Sequence, residues 1–192
     1  MNDIKFDPKK LAKLNDPGRY ESMPPDRIWE ELDLKTPKVL VDIGAGTGFF
    51  SVPFQKKTAS GKVYACDISE IMLDWMRENL GAETLRSVIP TKMRESSVPL
   101  DSLIADLVFM INLHHELKDP EKILAESFRL LVPGGKLLII DWKPVETEKG
   151  PPLKIRVKPE KVLEQLKGGG FTRLTEHTGF RDHFMISASK AN

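Results

Sequence analysis

The sequence predicts an α/β fold with a doubly wound, mostly parallel sheet that ends in an antiparallel hairpin. Three observations predict it. From Lys38 onward, short apolar runs alternate with amphipathic stretches, the pattern of parallel strands joined by crossover helices. Some of those runs, such as Leu137–Ile140, are continuously apolar, which suits strands covered on both faces. The last two β-prone segments have no helical stretch between them, so they read as a hairpin.

The elements follow in order. Residues 1–36 are broken by Pro8, Pro17, Gly18, Pro24 and Pro25 and hold one good helical stretch, Arg27 to Leu34. They have too few apolar residues for a core of their own, so they read as a cap or lid on a core at 37–192, within a single domain. The first strand is Val39–Ile43 and runs into glycines; the second is Lys62–Asp67. Ser69 is a plausible N-cap for a helix carrying Ile71, Met72, Trp75, Met76 and Leu80, stopped by Gly81. Leu85–Ile89 reads as the third strand and Ala105–Ile111 as the fourth. Asp119-Pro120 opens a helix that runs towards Pro133-Gly134-Gly135. Lys136–Asp141 is the fifth strand, and Pro159 opens a helix closed by Gly168 to Gly170. The hairpin strands are Arg173–His177 and Asp182–Ser189, with one face expected to be more buried.

Composition narrows the function. A chain of 192 residues with 40% hydrophobic and 30% charged residues has the makeup of a globular domain. The longest mostly apolar run, Ile104–Leu113, includes Asp106 and is about half of the ~20 residues a membrane helix needs. Met1 to Lys10 has no apolar secretory core. A net charge of +1 and a single cysteine, Cys66, argue against a phosphate-bound nucleic-acid partner and a cysteine zinc site. A cytoplasmic protein acting on a small molecule, with no membrane partner and no metal, is the expectation.

The chemistry-bearing segment is Val41-Asp42-Ile43-Gly44-Ala45-Gly46-Thr47-Gly48-Phe49-Phe50. Glycines where a strand hands over to a helix let the chain turn tightly and let a ligand approach the backbone; the alternative is a merely tight turn. Asp67 closes the second strand, where its carboxylate can accept hydrogen bonds from vicinal ribose hydroxyls or simply serve as a charge at a helix N-terminus. The spacing is Gly-x-Gly-x-Gly, and position 49 is Phe where a dinucleotide fingerprint needs glycine.

D-I-G-A-G-T-G-F-F-S resembles the first motif of class I S-adenosylmethionine-dependent methyltransferases, and C-D-I-S their next one. A-D-L-V-F-M-I-N-L-H-H-E-L-K-D-P followed by R-L-L-V-P-G-G-K-L-L-I-I-D-W resembles their later motifs, especially in the ubiquinone/menaquinone-biosynthesis-like, type 11 group of small-substrate enzymes. The similarity spans Arg19 to Ser189. It implies a Rossmann-like, seven-stranded sheet and S-adenosylmethionine as cofactor. It also implies roles: Gly44, Ala45 and Gly46, within the turn closed by Gly48, pass the methionine part. Asp42 holds the turn or meets the cofactor amino group, Asp67 takes the ribose, Ile68 packs on adenine, and Asn112 offers backbone groups to the amino-acid end. The family commonly has an acid after the third strand that contacts adenine. Here Glu95 is the candidate, with Met93 and backbone groups as the alternative.

Methyl transfer is an in-line displacement in which the protein aligns donor and acceptor, and a nearby base helps an acidic acceptor. His114 and His115 follow the fourth strand on the ligand side. His114 is favoured as the pocket residue because it lies nearer the strand end; the alternative is that one histidine packs and the other faces water. Arg19 and Tyr20 are lid candidates, with Arg19 placed to meet the cofactor carboxylate. The loop Val145–Pro152 shapes the acceptor site or is a solvated connection. Trp142 reads as core or rim packing, and His177 and His183 read as surface residues. Two other functions fit the same fold: an NAD-linked oxidoreductase and a non-catalytic S-adenosylmethionine-binding module.

Overall fold

The computed structural model describes residues 8–191, so most of Met1 to Lys10 lies outside the described residues. Seven strands form one sheet in the order β3-β2-β1-β4-β5-β7-β6. They are β1 (Val39–Ile43), β2 (Lys62–Asp67), β3 (Val88–Lys92), β4 (Ala105–Ile111), β5 (Leu131–Trp142), β6 (Thr172–His177) and β7 (His183–Ser189). Pairings from β3 to β5 are parallel; β7 is antiparallel to both β5 and β6. The order reverses between β1 and β4, which opens a crevice beyond their carboxyl ends.

The helices are α1 (Pro8–Leu14), α2 (Arg19–Ser22), α3 (Pro25–Leu32), α4 (Ser51–Lys56), α5 (Glu70–Asn79), α6 (Ala82–Leu85), α7 (Pro120–Leu130) and α8 (Pro159–Gly168). Alternation along the strands sorts the core into two layers. Val41, Ile43, Val108, Met110, Leu137 and Ile139 cluster with Ile123 and Leu124 of α7 and Val162 and Leu166 of α8. Leu40, Phe109, Leu138 and Ile140 cluster with Ile28 and Leu32 of α3 and Phe54 of α4. Each such side chain taken from water stabilises the fold by about 1.5–3 kcal/mol. The two buried residues of α3 therefore tie the proline-rich segment to the core.

Several boundaries differ from the sequence reading. The α3 helix starts at Pro25, which suits a first-turn position, and ends where Asp33 turns left-handed at φ 43°. Before β3, residues 82–85 form a helical turn, with Ser87 N–H bonded to Thr84 O. Parallel pairing begins only at Val88, opposite Val63, so the third strand lies later than Leu85–Ile89. The α7 helix stops at Leu130 and β5 begins at once.

The hairpin corrects two expectations. All seven residues of β7 are buried, because the strand lies between β5 and β6; β6 takes the exposed edge. His183, on β7, is therefore not a surface residue, and the His177 side chain, although on the edge strand, is only 8% exposed. His183 is 1% exposed. The His177 ring is held between Glu31 Oε2 at 3.0 Å and Ser187 Oγ at 2.8 Å.

Candidate active site

The glycine turn leaves β1 with Gly44, Gly46 and Gly48 all at positive φ, 74°, 56° and 74°, which side-chain-bearing residues rarely adopt. The three glycines face different surroundings. A Cβ on Gly44 would lie 2.7 Å from the Leu113 side chain, and one on Gly48 would lie 2.9 Å from Met76 Sδ. Those two make room for the protein itself. At Gly46 a Cβ would meet only Leu14, in ordinary contact at 3.7 Å, so this is the least crowded of the three.

Asp67 faces this turn. Its Oδ2 accepts the Gly46 N–H at 2.8 Å, and its Oδ1 accepts the Ser69 N–H at 2.8 Å. It therefore braces the turn and holds the backbone that leads into α5. Each oxygen keeps acceptor capacity for a hydroxyl. Burial pushes the Asp67 carboxyl up, opposed by the backbone bonds from Ser69 and Gly46. Ile68, next in the chain, is 59% exposed, an unused apolar surface beside the carboxylate. Asp42 is buried beneath the turn and accepts the Ser51 hydroxyl at 2.6 Å. Its carboxyl is pushed up to about 7, first by burial and further by the charge of Asp67, against the Ser51 bond.

The proline-rich segment roofs the turn. Thr47 Oγ1 donates to Asn15 Oδ1 at 3.0 Å, and the Tyr20 hydroxyl donates to Phe49 O at 2.7 Å. The Arg19 guanidinium lies 4.7 Å from the Phe49 ring centre and 5.2 Å from that of Phe50, and it donates to Leu14 O. Burial lowers the Arg19 pKa, against the acidic groups of Tyr20, Asp42 and Asp16.

Across the reversal, Asn112 takes a left-handed turn at φ 58°. Its N–H bonds Ile140 O at 2.8 Å, while its Oδ1 is buried without a partner among the described residues. The least crowded turn glycine, Gly46, and an acceptor at Asn112 without a partner among the described residues fit a bound polar group. Glu95 lies exposed in the loop after β3, 2.9 Å from Lys118 Nζ. Met93 N–H is taken by Asp67 O at 3.1 Å.

The two histidines separate. His114 is buried, with Nε2 2.9 Å from Gln165 Oε1 on α8 and Nδ1 unpartnered. Burial lowers its pKa, against the Gln165 bond. His115 turns to the end of β5, where Asp141 Oδ1 sits 2.7 Å from its Nδ1 and Asp141 Oδ2 accepts its backbone N–H at 2.9 Å. Burial opposes charge on this ring, but the hydrogen bond and charge of Asp141 prevail and raise its pKa. The carboxylate fixes Nδ1 as the donor, so Nε2 carries the lone pair of the neutral ring, and it lies 3.7 Å from Glu116 Oε1. Of the two, His114, nearer the strand end, is the one whose side chain packs against α8. The pairing of Asp141 with His115 is not readable from the sequence, which shows only an acid ending an apolar strand at the border of the crevice. Among the described residues no group of three or more His, Cys, Asp or Glu side chains is arranged to hold a metal, and no helix is long and apolar enough to cross a membrane.

Residues 41–139 match the family described as methyltransferase domain. The chain is also similar to a solved S-adenosylmethionine-dependent methyltransferase from Aquifex aeolicus, at 35% identity and a TM-score of 0.88, over 96% of this chain and 99% of that one. This protein belongs to the class I S-adenosylmethionine-dependent methyltransferases. Within that family it is similar to the mitochondrial 2-methoxy-6-polyprenyl-1,4-benzoquinol methylase of Caenorhabditis elegans, at 28% identity over 72% of this chain and 50% of the relative. It is also 31% identical to the ubiquinone/menaquinone biosynthesis C-methyltransferase of Bordetella parapertussis, over 62% of this chain and 48% of that protein. The chain thus spans about half the length of these curated relatives. S-adenosylmethionine is the family's cofactor, and the glycine turn, Asp67 and Asn112 are suited to it. The nicotinamide reading is not favoured.

Proposed function

We propose that this methyltransferase moves the methyl group of S-adenosylmethionine to a small hydroxylated acceptor, with His115 as the base. The observation that carries the reading is the His115–Asp141 pair, held at 2.7 Å at the carboxyl ends of β4 and β5, beside the cofactor turn. The bound cofactor supplies an electrophilic methyl on sulfonium. Asp67 takes the ribose hydroxyls, Ile68 and the Glu95 loop receive adenine, and Gly44, Ala45, Gly46 and the Gly48 turn pass the methionine portion. Asp42 and Asn112 meet the amino group, and Arg19 meets the carboxylate from the roof. Residues 1–36 act as the cap that excludes water. His115 Nε2 would accept the acceptor's proton as the acceptor bonds the methyl carbon and the S–CH₃ bond breaks, its electron pair staying on the sulfur of the departing S-adenosylhomocysteine, and Asp141 would stabilise the resulting imidazolium. His114 holds the loop to α8.

The names of the curated relatives, a benzoquinol methylase and a quinone-biosynthesis C-methyltransferase, support a quinol-like ring as the acceptor class. A near-neutral charge and a lone, buried Cys66 suit a cytoplasmic setting. The test incubates the protein with methyl-labelled S-adenosylmethionine and a panel of hydroxylated aromatics under reducing conditions. Label should pass to at least one acceptor in the wild type and be lost in His115→Gln. Transfer that persists unchanged in His115→Gln removes the base assignment.

A further inference from the structure

Between β5 and α8 the chain has no strand and only one short helical turn, Leu153–Ile155. Such a stretch is ordinarily among the most mobile of a domain, and Val145, Glu146, Glu148, Lys149 and Gly150 are exposed. One side chain nonetheless gathers it. Arg156 Nε donates to Pro151 O at 2.9 Å, Nη1 to Lys143 O at 3.1 Å and Val145 O at 2.6 Å, and Nη2 to Thr147 Oγ1 at 2.8 Å and Lys149 O at 3.4 Å. A guanidinium has five N–H donors. All five go to residues 143–151 and none to a carboxylate, so the fork is spent on the shape of one loop rather than on an ion pair.

The loop so fixed is a wall. Glu148, Lys149 and Trp142 line a cavity of about 380 Å³ whose other sides are Gly18, Glu21 and Ser22 of the roof and the β6–β7 turn at 179–182. Lys149 Nζ lies 3.8 Å from Asp16 of the roof. The guanidinium is packed 5.3 Å from the Trp142 ring centre. Gly150 closes this stack at φ 113°, where a Cβ would come within 2.8 Å of Trp142 and 3.0 Å of Arg156 Nη2. The Arg156 charge also opposes protonation of the His115 ring, which places it near the proposed base.

The two ends of the loop are held differently. The Lys143 N–H bonds Asp182 O at 2.9 Å, and its Nζ bonds Phe180 O at 2.5 Å and Arg181 O at 3.1 Å. The end of β5, which carries Asp141, therefore stays in place without Arg156. Among the described residues, 145–151 have only the Thr147 Oγ1 bond to Lys149 O and the Lys149–Asp16 pair besides the guanidinium. We propose that this cavity admits the methyl acceptor and that Arg156 is its positioning residue, holding 145–151 as a fixed wall. The assignment rests on the methyl-transfer reading above and deepens it. Loss of Arg156 should then cost acceptor affinity and spare both cofactor binding and the His115–Asp141 pair.

The test follows transfer by the full chain from methyl-labelled S-adenosylmethionine to a panel of hydroxylated aromatics that includes hydroquinone and catechol, under reducing conditions. Arg156→Met keeps the stem against Trp142 and removes every donor. It should raise the KM of the acceptor the wild type uses best by about tenfold or more. Its kcat should stay within about twofold of wild type, and S-adenosylhomocysteine affinity should be unchanged by calorimetry. Arg156→Lys keeps the charge but cannot span the same acceptors, so its KM should fall between the two. Gly150→Ala pushes on the stack from the other side and should raise the acceptor KM with Arg156 intact. Trypsin should cut after Lys149 faster in Arg156→Met and Gly150→Ala than in wild type, and equal rates overturn the proposal. A Met variant that loses Tm but keeps the wild-type acceptor KM shows a structural clamp only and overturns it too, as does a loss shared by S-adenosylhomocysteine affinity. If Arg156→Met does not fold, Arg156→Lys and Gly150→Ala decide the same comparison. No transfer by the wild type to any panel member overturns the methyl-transfer reading together with this assignment, whereas transfer with unchanged acceptor KM in the variants overturns this assignment alone.

Discussion

The two halves of the crevice treat their polar groups in opposite ways. On the β1–β2 side the chain satisfies its own. Asp67 holds Gly46 and Ser69, Asp42 holds Ser51, and Thr47 and Tyr20 are tied to the turn and its roof. On the β4–β5–β7 side, Asn112, His114 and His183 bury atoms with no partner among the described residues. The first half is preorganised, so a ligand there adds bonds to a frame that already stands. The second half keeps a deficit that a ligand or an ordered water would cancel. A site that aligns two molecules needs both properties.

The largest break in this comparison should come from the half that holds the proposed base. His115→Gln removes the base and is expected to lower kcat by about 10²–10³-fold, with S-adenosylhomocysteine affinity intact by calorimetry. Asp141→Asn should follow it, because an amide no longer fixes the Nδ1–H tautomer. If both variants keep wild-type kcat, the two halves do not divide binding from chemistry.

A second effect sharpens the contrast through pH. Asp42 is pushed up to about 7 from an ordinary 3.8. Between those values the folded chain holds a proton that the unfolded chain has released, so stability falls as pH rises through that window. His183 works in the other direction. Its ring is pushed down to about 4 from 6.5, so stability is lost as pH falls from about 6.5 towards 4. Denaturant titrations across pH should show Asp42→Asn losing the first slope, worth at most about 4 kcal/mol, and keeping the second. A cationic cofactor group near Asp42 favours its ionised form, so S-adenosylmethionine binding near neutral pH should release protons to buffer.

The sequence told the two halves apart unevenly. The turn was legible because its constraint is local: three glycines at fixed spacing and an acid at the next strand's end. The sheet was legible for the same reason, except where a helical turn at Ala82–Leu85 and the continuous α7–β5 junction moved boundaries. The acceptor half was not legible, because its geometry is built by strands far apart in sequence. His115 meets Asp141 across two strands, and His183 is buried only because β7 runs between β5 and β6. An alternating hairpin gives no sign of which strand takes the edge.

Smaller effects test the roof and the adenine end. Arg19→Ala removes a guanidinium from above Phe49 and Phe50, and cofactor dissociation should quicken by about threefold to tenfold, measured by stopped-flow displacement. Glu95→Gln should change S-adenosylhomocysteine affinity least, by less than about threefold, because its carboxylate is exposed and already beside Lys118. A larger loss would make Glu95 the main adenine contact.

The most direct measurement is calorimetric titration of wild type and Asp67→Ala with S-adenosylhomocysteine. The wild type should bind with a Kd in the micromolar range, and the variant should bind about 100-fold more weakly, since it loses both the brace on Gly46 and the ribose acceptor. Equal affinities in the two proteins, or no heat from the wild type at millimolar ligand, would contradict the account.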